Sequence, residues 1–265
     1  MKATRMMKYL LATVLLLPGA LWAAASEYPM EPMEPNLRDK PSLQNGLRLY
    51  ANYCLGCHSL EYQRYQRTAN DLGIPEAIME DEIIFTDQKI GEQMTNAMDE
   101  EAAKSWFGAP PPDLTMVARV RSPEWIYNYL KTFYVDENRP LGVNNKVFPN
   151  VGMPHVLMDL QGVQRLGCVQ VPKIADNGGE MRDPLEPGKT ITEEQCGQLV
   201  LEEGTGEYTP EQYDQAAYDI ANFLYYVGEP SRLERYRLGV YVLLFIAILY
   251  VFTWLLGREY HKAVR

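Results

Sequence analysis

Histidine and cysteine are scarce in this 265-residue chain, at three and four residues. The scarcity excludes most metal clusters. Cys54 and Cys57 form a C-x-x-C pair, but Cys168 and Cys196 are too far apart in the chain to complete a structural zinc site with it. A redox dithiol is equally unsupported, because no thioredoxin-like βαβ pattern surrounds the pair. The sequence also lacks an internal repeat, a catalytic dyad, and any strand pattern that persists beyond a few residues. Positive charge is short as well. With 25 Lys and Arg against 35 Asp and Glu, net −10, the chain repels acidic molecules, nucleic acid among them.

Long apolar runs are confined to the two ends. Residues 1–25 read as a secretory signal, with Lys2, Arg5 and Lys8 ahead of the apolar run 9–17 and small residues up to Ala25, so a mature chain is expected to begin near Ser26. Residues 238–256 are nineteen positions without a formal charge. As helix they span about 28 Å, close to the hydrocarbon thickness of a bilayer. Arg237, Trp254, Arg258 and Tyr260 flank the run as interfacial anchors. Basic residues are balanced on its two sides, so orientation rests on the signal. That exports residues 26–236, leaves 237–257 as the anchor, and puts 258–265 in the cytoplasm of a bacterial cell whose inner membrane holds the chain.

Setting aside three basic residues in the signal, and six basic and two acidic residues after Ser231, the exported part carries 16 positive and 33 negative side chains, net −17. Such a surface either steers basic molecules toward it or serves solubility alone. Pro29, Pro32, Pro35 and Pro41 make 27–41 an extended arm lying on the domain or on a partner. Ser42 is a candidate N-cap for a first helix that presents Leu43, Leu47 and Tyr50 on the way to Cys54. Ser122-Pro123-Glu124 and Thr209-Pro210-Glu211 open two more helices, each with a capping hydroxyl before a proline whose missing N–H costs nothing there. The first is expected to bury Trp125, Ile126, Tyr129, Leu130 and Phe133. The second is expected to bury Tyr213, Ala217, Ile220, Leu224 and Val227 before stopping at Gly228. A short helix is expected over 99–107, and 104–112, 137–154 and 161–192 read as irregular. The fold expected is mainly α, a helical domain whose long loops wrap something that supplies part of its core.

Cys54-Leu55-Gly56-Cys57-His58 has the C-x-x-C-H spacing of covalent c-type haem attachment. Residues three apart share one face of a helical turn, so both thiols reach the vinyl groups of one haem while His58 presents a nitrogen to the iron. A second axial ligand must come from His155 or from a methionine. Met94 and Met98, a turn apart beside acidic residues, look like ordinary helix positions. Met153, in the constrained loop Phe148-Pro149-Asn150-Val151-Gly152-Met153-Pro154, suits a chain crossing the far face of a ring, with Met158 and His155 as alternatives.

Beyond the pentapeptide, the chain resembles the cytochrome c1 family, the haem subunits of cytochrome bc1 complexes. The resemblance covers most of the mature chain. It lies in Leu49-Tyr50-Ala51-Asn52-Tyr53 running into Cys54, in Gly108-Ala109-Pro110-Pro111-Pro112-Asp113-Leu114, in the 119–121 segment, in Val151-Gly152-Met153-Pro154 and in the C-terminal anchor. It implies a cytochrome c-like haem domain with one haem c, Met153 as distal ligand, and Arg119 paired with a haem propionate. Tyr127 is a further candidate for a propionate hydrogen bond, and the alternative for Arg119 is a solvated surface position. The resemblance further implies cytochrome b and Rieske iron–sulfur partners in a dimeric complex, and electron transfer from the Rieske protein to a soluble or membrane-bound cytochrome c. The chain would then be an electron-transfer subunit, with the quinol sites on another polypeptide. The rival expectation is a free-standing anchored cytochrome feeding a terminal oxidase or reductase. An exported location also makes a Cys168–Cys196 disulfide the expected state of those thiols.

Overall fold

The computed structural model describes residues 28–175, 178–186 and 188–263. The expected signal and the last two residues lie outside them. Among the described residues nine helices and three two-stranded sheets occur, so the chain is mainly α as expected.

The first helix, α1 (Lys40–Tyr53), is capped by Asp39, whose carboxylate accepts from the Ser42 N–H, with Pro41 in the first turn. Ser42, expected to cap, is instead buried inside the helix and donates to Asp219 at 2.6 Å. The physical reason is a polar seam. Among the described residues no cation pairs with Asp219, but it also accepts from Asn45 at 2.7 Å and Gln215 at 2.8 Å, so its burial is compensated by neutral donors.

After α1 come β1 (Leu60–Arg64), α2 (Tyr65–Leu72), α3 (Glu76–Glu82) and β2 (Gln93–Met94), with β2 antiparallel to β1. Met94, expected on a helix, is a fully buried strand residue touched by the Thr68 hydroxyl. Met98 lies beyond β2 and ahead of the next helix. That helix, α4 (Glu100–Phe107), is capped by Asp99 and closed by Gly108 in the left-handed region at φ 83°. The short α5 (Val117–Val120) leads into α6 (Pro123–Lys131), which Ser122 caps through its hydroxyl.

The strands β3 (Phe133–Val135) and β4 (Val143–Asn145) form a small hairpin, and α7 (Met158–Gln161) follows. The central helix α8 (Pro210–Gly228) opens with a complete capping box between Thr209 and Gln212. It buries Tyr213, Ala217, Ile220, Leu224 and Val227 as expected, and packs against α1, α5 and α6. The arm before α1 lies on this core. Glu31 and Asn128 exchange backbone-to-amide hydrogen bonds, Asn36 does the same with Asn222, and Met33 is buried.

The stretch 161–192, expected to be irregular, contains most of a long hairpin. β5 (Gln164–Pro172) pairs antiparallel with β6 (Thr192–Leu201), and Cys168 is bonded to Cys196 directly across it. No alternating pattern announced the strands because both leave most residues exposed or half-exposed on either face. With the cysteines 28 positions apart in sequence, the chain-entropy model assigns the bond about 3.5 kcal/mol. Serine at both positions is expected to lower the thermal midpoint, by up to that much stability, with the haem spectrum unchanged.

The chain ends in α9 (Arg232–Ala263), whose apolar stretch is exposed along its whole length. Among the described residues it is the one helix long and apolar enough to cross a membrane. Its start is tied to the domain through Glu229, whose carboxylate pairs with Arg235 and, at 3.3 Å, with Arg119.

Candidate haem site

The hydrogen bonds of α1 carry into the C-x-x-C-H turn: Cys54 N–H donates to the Tyr50 carbonyl at 2.8 Å, then Cys57 and His58 N–H both donate to the Cys54 carbonyl. The Tyr50 hydroxyl closes the turn by donating to the His58 carbonyl at 2.5 Å. Cys54, Cys57 and His58 thereby face one cavity of about 390 Å³. The two thiols are not bonded to each other. Burial, helped by the neighbouring Cys57, pushes the Cys54 thiol up to about 12, and burial raises Cys57 as well. A redox dithiol works through a depressed thiol pKa, so this pair is chemically unlike one.

His58 is buried, and its Nδ1 lies 2.7 Å from the Pro112 carbonyl oxygen. A carbonyl can only accept, so Nδ1 carries the proton and Nε2 keeps its lone pair. Burial lowers the imidazole pKa, while the Pro112 hydrogen bond and Asp113 act in the other direction. The ring is therefore neutral and oriented as a metal ligand would be, with a backbone carbonyl as its outer partner. The proline run earns its place here: Ala109, Pro110, Pro111 and Pro112 all line the cavity, and the Leu114 N–H donates to the Ser59 carbonyl, joining the run to the attachment turn.

Much of the remaining wall comes from three elements. Ile220 and Leu224 of α8, Trp125, Ile126, Tyr129 and Leu130 of α6, and the loop from Val151 to Pro154 all contribute, Met153 among them. Gly152 sits where a Cβ would come within 3.3 Å of the Phe107 carbonyl, which explains a glycine before Met153: the loop passes close over the end of α4. Trp125 and Tyr129, expected simply as core residues, are half-buried cavity wall, stacked at 4.9 Å.

The remaining ligand alternatives are engaged elsewhere. His155 stacks on Phe133 at 4.8 Å and its Nε2 contacts Gln161 at 2.7 Å, and burial brings its pKa down to about 4. Met158 packs against the Phe133, Val143 and Val151 cluster, as Met153 does too, but neither Met158 nor His155 lines the cavity.

Neither Arg119 nor Tyr127, the expected propionate partners, lines the cavity. The Arg119 side chain lies along Gly228, with its Cγ 3.2 Å from where a Cβ there would stand, and its guanidinium pairs with Glu229. The Tyr127 hydroxyl donates to Asp214 at 2.5 Å and accepts from Lys131 at 2.9 Å, on the side facing the N-terminal arm. The cation that does line the cavity is Arg121. Its guanidinium stands 5.3 Å from the Trp125 ring centre and 5.9 Å from that of Phe148.

Two thiols, an imidazole with its Nε2 lone pair free, a thioether and one arginine thus meet in a cavity otherwise walled by apolar and aromatic groups. That donor set fits a covalently attached haem. Comparison with known proteins agrees: residues 35–264 match the model of the cytochrome c1 family.

The chain belongs to the cytochrome c1 family.

Cytochrome c1 of Allochromatium vinosum is 48% identical over 260 residues, spanning 98% of this chain and 100% of the relative. A protein of Nitrosomonas europaea named as an ammonia monooxygenase gamma subunit is 37% identical over 98% of this chain and 99% of its own length. Cytochrome c1 of Rhodobacter capsulatus is 25% identical over 83% of this chain and 82% of its own. Membership makes the chain a haem c electron carrier of a bc1-type respiratory complex, an electron-transfer subunit with, among the described residues, one helix long and apolar enough to hold it in a membrane.

Proposed function

We propose that this chain takes single electrons from a Rieske iron–sulfur protein and passes them to a cytochrome c through a haem held by Cys54 and Cys57, with His58 and Met153 as the iron ligands and Arg121 facing a propionate. The observation that carries this reading is the convergence of all five side chains on one cavity. When bound, the haem supplies a one-electron iron couple. The protein supplies position and environment. Pro112 holds His58 in one tautomer, the α6 and α8 side chains exclude water, and the 151–154 loop brings the thioether in. Two protein ligands leave no open position for substrate, so electron transfer is favoured over peroxidase-like chemistry.

In the proposed organisation residues 1–25 are removed on export, 26–236 form the haem domain on the periplasmic side, 237–257 cross the inner membrane and 258–265 face the cytoplasm. Cytochrome b and the Rieske protein are the partners within a dimeric complex, and α9 is the segment that packs against cytochrome b. Solubilised in mild detergent, the protein is expected to co-migrate with b-type haem and an iron–sulfur protein. A lone c-type band would instead establish the free-standing carrier.

Arg121 offers a second check. Its positive charge disfavours the ferric state, and its loss would also leave a propionate unpaired. Both effects act in one direction. Arg121→Gln is expected to lower the potential by a factor of about three to ten in the ferric-to-ferrous ratio, about 30–60 mV for one electron, by potentiometric titration. Arg119→Gln, which breaks an ion pair outside the cavity, is expected to leave the potential nearly unchanged.

A further inference from the structure

Tyr129 stands apart from the other aromatic residues of the cavity wall, because its hydroxyl is aimed at a specific atom. It donates to the Met153 sulfur at 3.4 Å, within the longer reach of hydrogen bonds to sulfur. The ring that carries it is held on two sides: Trp125 stacks on it at 4.9 Å with planes 12° apart, and Phe133 meets it edge-on at 5.0 Å. The backbone is held too, since the Tyr129 carbonyl accepts from the Asn145 amide at 2.8 Å. A phenol is protonated at neutral pH, so the hydroxyl has a hydrogen to donate to the sulfur.

We propose that Tyr129 is a positioning residue that orients the Met153 thioether and raises the reduction potential of the site through the hydrogen bond to its sulfur. The inference rests on Met153 being the distal ligand. A thioether sulfur has two lone pairs, so one can face the iron while the other accepts from the phenol. The hydrogen bond draws electron density from the sulfur and makes it a poorer donor. Ferric iron loses more from a poorer donor than ferrous iron does, so the reduced state gains. The same contact selects one orientation of a flexible methionine side chain, whose three rotatable bonds would otherwise leave it several.

Tyr129→Phe tests this in the full-length membrane protein, because it removes the hydroxyl and keeps the ring between Trp125 and Phe133. The expected result has two parts. Haem remains covalently attached, and the near-infrared sulfur-to-iron charge-transfer band persists at a shifted wavelength. The potential falls by about threefold to tenfold in the ferric-to-ferrous ratio, about 30–60 mV for one electron. An unchanged potential together with an unshifted band would overturn the inference and leave Met153 as ligand untouched. A wild-type protein without the band, or a Met153→Leu variant that keeps it, would instead remove the ligand assignment itself. A purely structural role for Tyr129 predicts a lower thermal midpoint in Tyr129→Phe with no movement of the potential, and that outcome also counts against the proposal.

Discussion

Met153→Leu is expected to abolish the near-infrared sulfur-to-iron band while haem stays covalently attached, and to lower the reduction potential by more than about 100 mV, on the roughly 0.8 V scale over which axial ligands set haem potentials. Leucine has nearly the volume of methionine and no lone pair, so the apolar wall survives while the ligand is lost. The fall in potential follows from what the thioether does: a soft, neutral donor favours ferrous iron, and water or a stray nitrogen in its place does so less. Rapid carbon monoxide binding by the reduced variant is expected as well, since one coordination position opens. An unchanged band would dismiss Met153. The nearest replacement, His155, would then have to leave its stack on Phe133 and its contact with Gln161. Breaking both contacts makes it a costly substitute, which is why the variant is expected to be lower in potential rather than rescued by histidine.

Much of this site was legible in the sequence where a local rule governs it. C-x-x-C-H is read from spacing alone, the Ser122 and Thr209 caps from residue type and a following proline, and the buried face of α8 from its period. What residue type and spacing could not settle is which way a side chain points. Arg119 and Arg121 are two residues apart, as are Tyr127 and Tyr129. On a helix two residues turn about 200°, so neighbours by number face opposite sides. In both pairs the member first singled out faces a structural ion pair or hydrogen bond, and the member two positions later faces the cavity. Ser42 was read as a cap by residue type, but Asp39, three positions earlier, caps instead and frees Ser42 for the buried seam with Asp219. The β5–β6 hairpin escaped notice for a different reason. Its faces are mostly solvated, so no selection for alternating hydrophobicity acts on it, and its register is held by a ladder and a cross-strand disulfide.

The close approach of α1 and α8 yields the expectation with the largest effect on the fold. At Gly46 a Cβ would stand 2.1 Å from the Asp219 carbonyl oxygen and 2.6 Å from the Phe223 Cβ. Both obstacles belong to the backbone or its first carbon, so no rotamer change relieves them. Gly46→Ala can be accommodated only if the two helices move apart by about 1 Å, and overpacking of this kind costs about 1–3 kcal/mol even where side chains can yield. Here the cost is expected at or above the top of that range, because separation also stretches the Ser42 and Asn45 hydrogen bonds to Asp219, at 2.6 and 2.7 Å, and parts Tyr50 from Phe223. The consequence reaches the haem site directly. α1 runs without interruption into the Cys54 turn, and α8 supplies Ile220 and Leu224 to the cavity wall. Membranes containing Gly46→Ala are expected to show little haem-stained protein, and any that accumulates is expected to melt well below the wild type. Gly56→Ala is the control, since nothing stands within 4 Å of a Cβ there although the residue lies inside the attachment motif itself. Wild-type accumulation and melting of Gly46→Ala would show that the helices separate at little cost, and would remove the α1–α8 crossing as the element that holds the attachment turn against the cavity.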